Sequence, residues 1–348
     1  MTLIEFMRAF AENWILAVTV ILVLLVIMIN GWTDAPNAIA TVVSTKAMTP
    51  KRAVLMAAIF NFLGVLVMTS VNASVAATLY KIVDFGNNPA DALAALCAAL
   101  IGILIWATAA WYFGIPTSES HALIAGISGA AIALQGGIAG INGAEWVKVL
   151  YGLGLSTVLG FGTGWLFVKI IERICRRMNR RKTTAFFRKA QVAGGASMAF
   201  MHGAQDGQKF MGVFLLGIAL AQGNVGTGSF AVPLWLMVLT SLVMGLGTSV
   251  GGYRIIKTVG MDMVKLKEYE GFASDMSAAG GLLVSSLFGI PVSTTHMKTT
   301  AIMGVGAAKR LSNVKWSVVR DLALTWVLTF PGCGLIGFLM AKLFINVF

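Results

Sequence analysis

Gly114 to His121 reads GIPTSESH, and Gly289 to His296, 175 positions on, reads GIPVSTTH. Each copy sits between apolar segments, so a dense run of hydroxyls recurs twice within sequence otherwise suited to hydrocarbon. A second echo keeps the same order. Asn30-Gly31-Trp32-Thr33-Asp34 followed by Asn37 is answered, 172 positions on, by His202-Gly203-Ala204-Gln205-Asp206 followed by Lys209. Two different motifs repeating at nearly one offset imply a duplicated half of about 170 residues.

Composition identifies the solvent. The chain is 57% hydrophobic and 11% charged, with a mean hydropathy of +0.83, against ~25% charged residues in an ordinary soluble domain. This is a polytopic membrane protein. Apolar stretches lie at about 11–30, 53–71, 92–113, 117–135, 146–168, 191–221, 231–250, 271–288, 295–308 and 316–346, most of them near the ~20 residues a helix needs to cross the hydrocarbon core. The 39 glycines and the lack of alternation exclude an outer-membrane barrel and predict an all-α fold. The polar motifs are expected to break the segment 191–221 and the region 11–45, which a membrane tolerates only around a protein-lined cavity.

The basic residues orient the chain. With the termini outside and the stretches crossing in order, Lys46, Lys51 and Arg52 fall inside. So do the nine basic residues from Lys169 to Lys189, then Arg254, Lys257, Lys265 and Lys267, then Lys309, Arg310 and Lys315. The outer loops keep only Arg8, Lys81 and Lys148, as the positive-inside rule requires. Five crossings per half invert the second half relative to the first. The expectation is two inverted-topology repeats, with broken helices or re-entrant hairpins around a central site, as in many secondary transporters. The first membrane repeat is 1–168, a basic cytoplasmic linker 169–190, and the second repeat 191–348, in the cytoplasmic membrane. Topology and anionic membrane lipid account for the net charge of +12, so no nucleic-acid partner is expected. The stretch 252–269 reads as a helix on the inner surface. Cys97, Cys175 and Cys333 are too scattered for a disulfide framework or a zinc site. Residues 11–30 lead straight into Asn30 and Asp34 with no small-residue cleavage site, and read as a retained first span.

The motifs carry the chemistry. In each, Gly and Pro stop one segment, and the hydroxyls after Pro116 or Pro291 open the next. Thr117, Ser118, Ser120, Ser293, Thr294 and Thr295 then stand beside free backbone N–H groups, where the helix dipole favours an anion. Two such termini meeting across a pseudo-twofold axis can wrap a tetrahedral oxyanion; ordinary helix capping is the plainer reading of either alone. Asp34 and Asp206 are carboxylates within spans, where a charge costs about 2.5–3.5 kcal/mol by insertion scales and so faces a partner or a pathway. With Asn37 they are candidate hard-oxygen ligands of a coupling cation. A structural ion pair of Asp206 with Lys209 competes with that reading. Lys209 can instead offset the oxyanion, and Lys298 can do so or snorkel to an interface. Glu119 faces neutral Thr294 in the other copy. A carboxyl beside a bound anion keeps its proton, which suggests proton coupling, although it can equally pair with a cation. His121 and His296 read as packing groups, and Gly160 and Gly164 as a packing or homodimer face.

With these residues in view the chain resembles the inorganic phosphate transporter, or PiT, family of bacterial or archaeal type. That family carries duplicated G-x-x-D-x-x-N-A and G-x-N-D-x-x-K motifs, each followed by P-x-S-x-x-H. Here they stand as Gly31 to Ala38, Gly203 to Lys209, Pro116 to His121 and Pro291 to His296. The resemblance implies inorganic phosphate imported by symport with sodium or protons, alternating access between the halves, and no catalysis or cofactor. It carries phosphate contacts over to Asp34, Asn37, Ser118, Asp206, Ser293 and Thr294. The full candidate substrate shell adds Thr117, Glu119, Ser120, Gln205, Lys209 and Thr295, and the coupling cation falls to Asp34, Asn37 and Asp206. Two departures matter: Gln205 stands where the family usually has Asn, and Glu119 where a hydroxyl is common.

Three rivals remain at this level. A sulfate permease of the same family suits a hydroxyl-lined site equally well. An intramembrane Ser118–His121 hydrolase lacks a G-x-S-x-G elbow and leaves the duplication without a purpose. An anion channel would move substrate without accumulating it.

Overall fold

The computed structural model describes residues 1–86, 88–115, 117–223, 230–250 and 253–347, so the motif proline Pro116 lies outside the described residues. So does the side chain of Arg254. The described residues form helices joined by short turns: α1 (Leu3–Glu12), α2 (Trp14–Thr33), α3 (Pro36–Ser44), α4 (Pro50–Val71), α5 (Ser74–Tyr80), α6 (Pro89–Phe113) and α7 (Glu119–Gln135). After these come α8 (Gly143–Cys175), α9 (Arg180–Gln222), α10 (Leu234–Val250), α11 (Tyr253–Lys257), α12 (Glu268–Leu287), α13 (Thr294–Lys309) and α14 (Trp316–Val347). Each apolar stretch of the sequence has its helix. Capping chemistry sets many of the starts: Asn88, Asn142 and Asn179 accept the free N–H groups of α6, α8 and α9.

Five segments among the described residues are long and apolar enough to cross a bilayer: Trp14–Ser44, Pro50–Val71, Pro89–Phe113, Gly143–Cys175 and Trp316–Ile345. Large apolar side chains such as Ile21, Leu55, Leu150, Leu246 and Leu339 point outward, as lipid-facing surface should. α7 and α13, at 17 and 16 residues, fall short of a full span and are buried almost end to end. They are the inner arms of two hairpins, α6–α7 and α12–α13. Each hairpin is closed at its base by a single antiparallel bridge, Val83 with Ile141 and Val264 with Val314.

The hairpins run in opposite directions. Thr78, just before the base of the first, donates its hydroxyl to the Gly289 carbonyl at the tip of the second, at 3.0 Å. Thr258, just before the base of the second, donates to the Gly114 carbonyl at the tip of the first, at 3.1 Å. Both tips turn on a left-handed glycine, Gly114 at φ 68° and Gly289 at φ 65°. Helices at matched positions also pack alike, with α7 lying along α14 and α13 along α8, and with α6 along α2 and α12 along α9. Close approach in the first two pairs depends on matched glycines. A Cβ on Gly129 would overlap the Gly334 carbonyl, and one on Gly304, 175 positions on, the Phe161 carbonyl.

The structure corrects two expectations. α9 passes through the 202–209 motif unbroken, because it contains no proline and its polar side chains pair with one another and with neighbouring helices rather than with its backbone. In the matching place Pro36 supplies no N–H and ends α2, so only the 11–45 region is broken. The surface helix expected at 252–269 is confined to α11 and a π-turn at Thr258–Asp262, after which Val264 joins the hairpin base. Gly160 and Gly164 pack against α13 within the chain, a Cβ on either meeting the backbone at Met297 or Ala301. The basic residues 169–189 are the end of α8, a turn at 176–179 and the start of α9.

Candidate functional site

Two short helices begin at the centre of the protein. Ser118 caps α7, its Oγ accepting the His121 N–H at 3.3 Å, and Ser293 caps α13, its Oγ accepting the His296 N–H at 3.2 Å. An Oγ that accepts from the backbone still has its own hydrogen to give, so capping and anion contact are compatible. The two termini meet: Thr295 donates to the Thr117 carbonyl at 3.3 Å, and the rings of His121 and His296 stand 4.6 Å apart. Those rings pack on Phe330 and Trp326 of α14, in the anchoring role expected of them.

The broken helix and α9 bring the charges. Asp34, in the α2–α3 break, accepts from Asn37 at 2.6 Å, from Thr294 at 3.1 Å and from Thr295. Asp206 accepts from Lys209 at 2.7 Å, Thr294 at 3.2 Å, Asn30 at 3.3 Å and Ser120 at 3.4 Å. Thr294 thus lies between the two carboxylates that the duplication relates. Lys209 Nζ spends its donors on Ser120, Asp206 and the Val292 carbonyl, each within 2.7 Å. The structural ion pair is therefore present and lies inside the site.

Glu119 meets Thr33. The Thr33 hydroxyl lies 2.7 Å from the Ile29 carbonyl and also contacts the Glu119 carboxyl.

Two expected residues stand elsewhere. Gln205 donates to Ser286 at 3.0 Å and to the Ile290 carbonyl at 3.3 Å, because one residue of α-helix rotates it about 100° from Asp206, toward the second hairpin. Lys298 neither faces the oxyanion site nor snorkels: it is fully buried and paired with Asp275. Other residues joined the site without a clear sequence signal. His202 places Nε2 3.4 Å from Asp206 and 3.9 Å from Asp34, while its Nδ1 lies 2.9 Å from Asn61 Oδ1. Asn30 reaches Asp206 as described, and its motif position was the only hint.

The charge balance is lopsided. Asp34, Glu119 and Asp206 are each at most 2% exposed, against the single ammonium of Lys209. The side-chain oxygens of Asn30 and Asn37 have no hydrogen-bond partner among the described residues. Beside two carboxylates they complete an oxygen-rich set of the kind hard cations take. Hydroxyls and helix termini recruit an oxyanion, yet two like charges 4 Å apart repel by about 4 kcal/mol at an effective dielectric of 20. An anion enters such a site stably only with compensating cations or protons.

The Ser118–His121 pair forms no catalytic dyad, since Ser118 Oγ faces the His121 backbone while the ring turns to His296 and Phe330. Comparison with known proteins agrees with transport. The chain is 38% identical over 309 residues to a Bacillus subtilis protein named a probable low-affinity inorganic phosphate transporter, covering 89% of this chain and 91% of that one. It is 37% identical over 309 residues to a Rhizobium meliloti protein of the same name, covering 88% and 90%. These relatives are named for phosphate transport, not for sulfate transport or for catalysis, which leaves the sulfate and hydrolase alternatives without support. A solved structure of a protein named the sodium-dependent phosphate transporter superposes with a TM-score of 0.87 over 97% of this chain and all of that one, at 22% identity, and so shares the fold. The model of the phosphate transporter family matches residues 30–337, a span that contains both hairpins, both carboxylate motifs and the whole central site; the chain belongs to that family.

Proposed function

We propose that this chain is a symporter that imports inorganic phosphate across the cytoplasmic membrane by alternating access. The observation that carries the reading is the charge balance of the site: three buried carboxylates and one ammonium surround two hydroxyl-rich helix N-termini. Phosphate accepts hydrogen bonds from Ser118, Ser120, Ser293 and Thr294 and from the first turns of α7 and α13. Asp34, Asp206, Asn30 and Asn37 hold the coupling cation. Sodium is the choice, supported by the structural neighbour, whose own name makes it sodium-dependent. Glu119 adds a proton. Residues 1–168 and 191–348 act as the two inverted units, the termini lie outside, and the basic segment 169–190 lies in the cytoplasm.

The test is uptake of labelled phosphate into proteoliposomes under separate sodium and proton gradients, with sulfate and arsenate as competitors. Accumulation above the external concentration, driven by sodium and competed by arsenate but not by sulfate, is the expected result. Equilibration without accumulation would identify a channel, and competition by sulfate would shift the substrate.

A further inference from the structure

One turn beyond the site, a second buried polar cluster ties four helices together. Lys298 of α13 is ion-paired with Asp275 of α12, and its Nζ lies 3.1 Å from Thr41 Oγ1 of α3. Thr41 donates to Asp275 Oδ1 at 2.7 Å, and Gln191 of α9 donates to Oδ2 at 2.7 Å. All four side chains are fully buried, and none bonds to Asp34, Glu119, Asp206 or Lys209. The cluster lies past Asn37 on α3 and past Thr295 on α13, toward the ends that carry Lys46 and Lys309.

The duplication gives the matching place on the other side of the site. At an offset of 172, Gln191 answers to Thr19 and Thr41 to Val213; at 175, Asp275 answers to Leu100 and Lys298 to Leu123. Leu100, Leu123 and Val213 are fully buried members of one apolar cluster, and among the described residues Thr19 bonds only to the Ile15 carbonyl and Cys97. The site is therefore closed by unlike materials on its two sides. They respond differently to water. An apolar seal resists opening in proportion to the apolar area it would expose. A buried ion pair has given up hydration that both charges regain once water enters, so its separated state is penalised much less.

We propose that Lys298 and Asp275 form the inner gate of the transport pathway, an ionic latch that opens to the cytoplasm while Leu100, Leu123 and Val213 seal the outside. The direction rests on the transport reading above; the latch itself does not. The experiment uses the full chain with Cys97, Cys175 and Cys333 replaced by serine and Thr299→Cys as a buried reporter beside Lys298. A membrane-impermeant maleimide is applied to right-side-out and to inverted vesicles. The neutral pair Asp275→Asn/Lys298→Gln keeps the shape and removes the charges, and should raise labelling from the cytoplasmic face at least fivefold with no rise from the outer face. The swapped pair Asp275→Lys/Lys298→Asp restores the attraction and should label at the parental rate. An equal rise at both faces, a rise from the outer face, or no rise in the neutral pair overturns the latch, as does a swapped pair that labels like the neutral one. Labelling needs no phosphate, so failure of the parent to accumulate phosphate would count against the transport reading alone.

Discussion

Lys209 and Asp206 hold each other at 2.7 Å across one turn of α9, with neither side chain exposed to solvent. Removing one partner leaves a buried charge alone, which costs about 3–5 kcal/mol, whereas removing both leaves none. Asp206→Asn and Lys209→Met should therefore each lower the unfolding temperature in detergent, and the double variant should recover most of the loss. Transport should be absent in all three if the pair serves the site as well as the fold. A stable double variant with normal phosphate uptake would make the pair purely structural.

Ser118 and Ser293 separate capping from binding. Glycine at an N-cap costs only a few tenths of a kcal/mol relative to serine, yet it has no hydroxyl for an anion, a loss of about 1–3 kcal/mol when the acceptor is charged. Ser118→Gly and Ser293→Gly should leave thermal stability nearly unchanged and weaken phosphate affinity by roughly 5- to 150-fold each, measured by calorimetric titration in sodium. Unchanged affinity in both would confine these hydroxyls to capping, which their bonds to the His121 and His296 N–H groups already accomplish.

What the sequence made legible was whatever the duplication repeated. The hairpin tips, Asp34 with Asp206, and the hydroxyl runs recur at fixed offsets, and the structure gathers them around one point. Asp275 escaped notice because its counterpart is Leu100 and it sits in no motif, so only the fold brings it to Lys298. Asn61 was hidden for the same reason, being joined to His202 only across α4 and α9. The expected break in α9 failed because polar residues alone do not end a helix; without a proline they can pair sideways and leave the backbone ladder intact.

Gly304 and Gly162 give a test of the packing that carries the second hairpin. A Cβ on Gly304 would overlap the backbone carbonyl of Phe161, whereas one on Gly162 meets nothing within 4 Å. Gly304→Ala should cost about 1–3 kcal/mol through overpacking. Gly162→Ala should be neutral or stabilising by up to about 1 kcal/mol from helix propensity. Thermal unfolding of both in one detergent checks the contrast, and equal melting temperatures would mean that α8 and α13 are less tightly apposed than described.

Glu119 is where the two copies of the motif differ most in charge, since Thr294 holds the matching position. It is buried beside two further carboxylates and in contact with the Thr33 hydroxyl. A proton held there in the loaded state and released toward the cytoplasm would add proton coupling to sodium coupling. Glutamine keeps a donor toward Thr33 and cannot give up a proton. Glu119→Gln should therefore bind phosphate within about threefold of the parent, a difference under 1 kcal/mol. It should still respond to a sodium gradient, and lose the acceleration that an inward proton gradient gives the parent. The measurement is initial uptake from mildly acidic to mildly alkaline pH at fixed sodium. A profile identical to the parent's would take Glu119 out of proton coupling, whereas loss of binding itself would make the carboxyl a direct ligand of phosphate or of the cation.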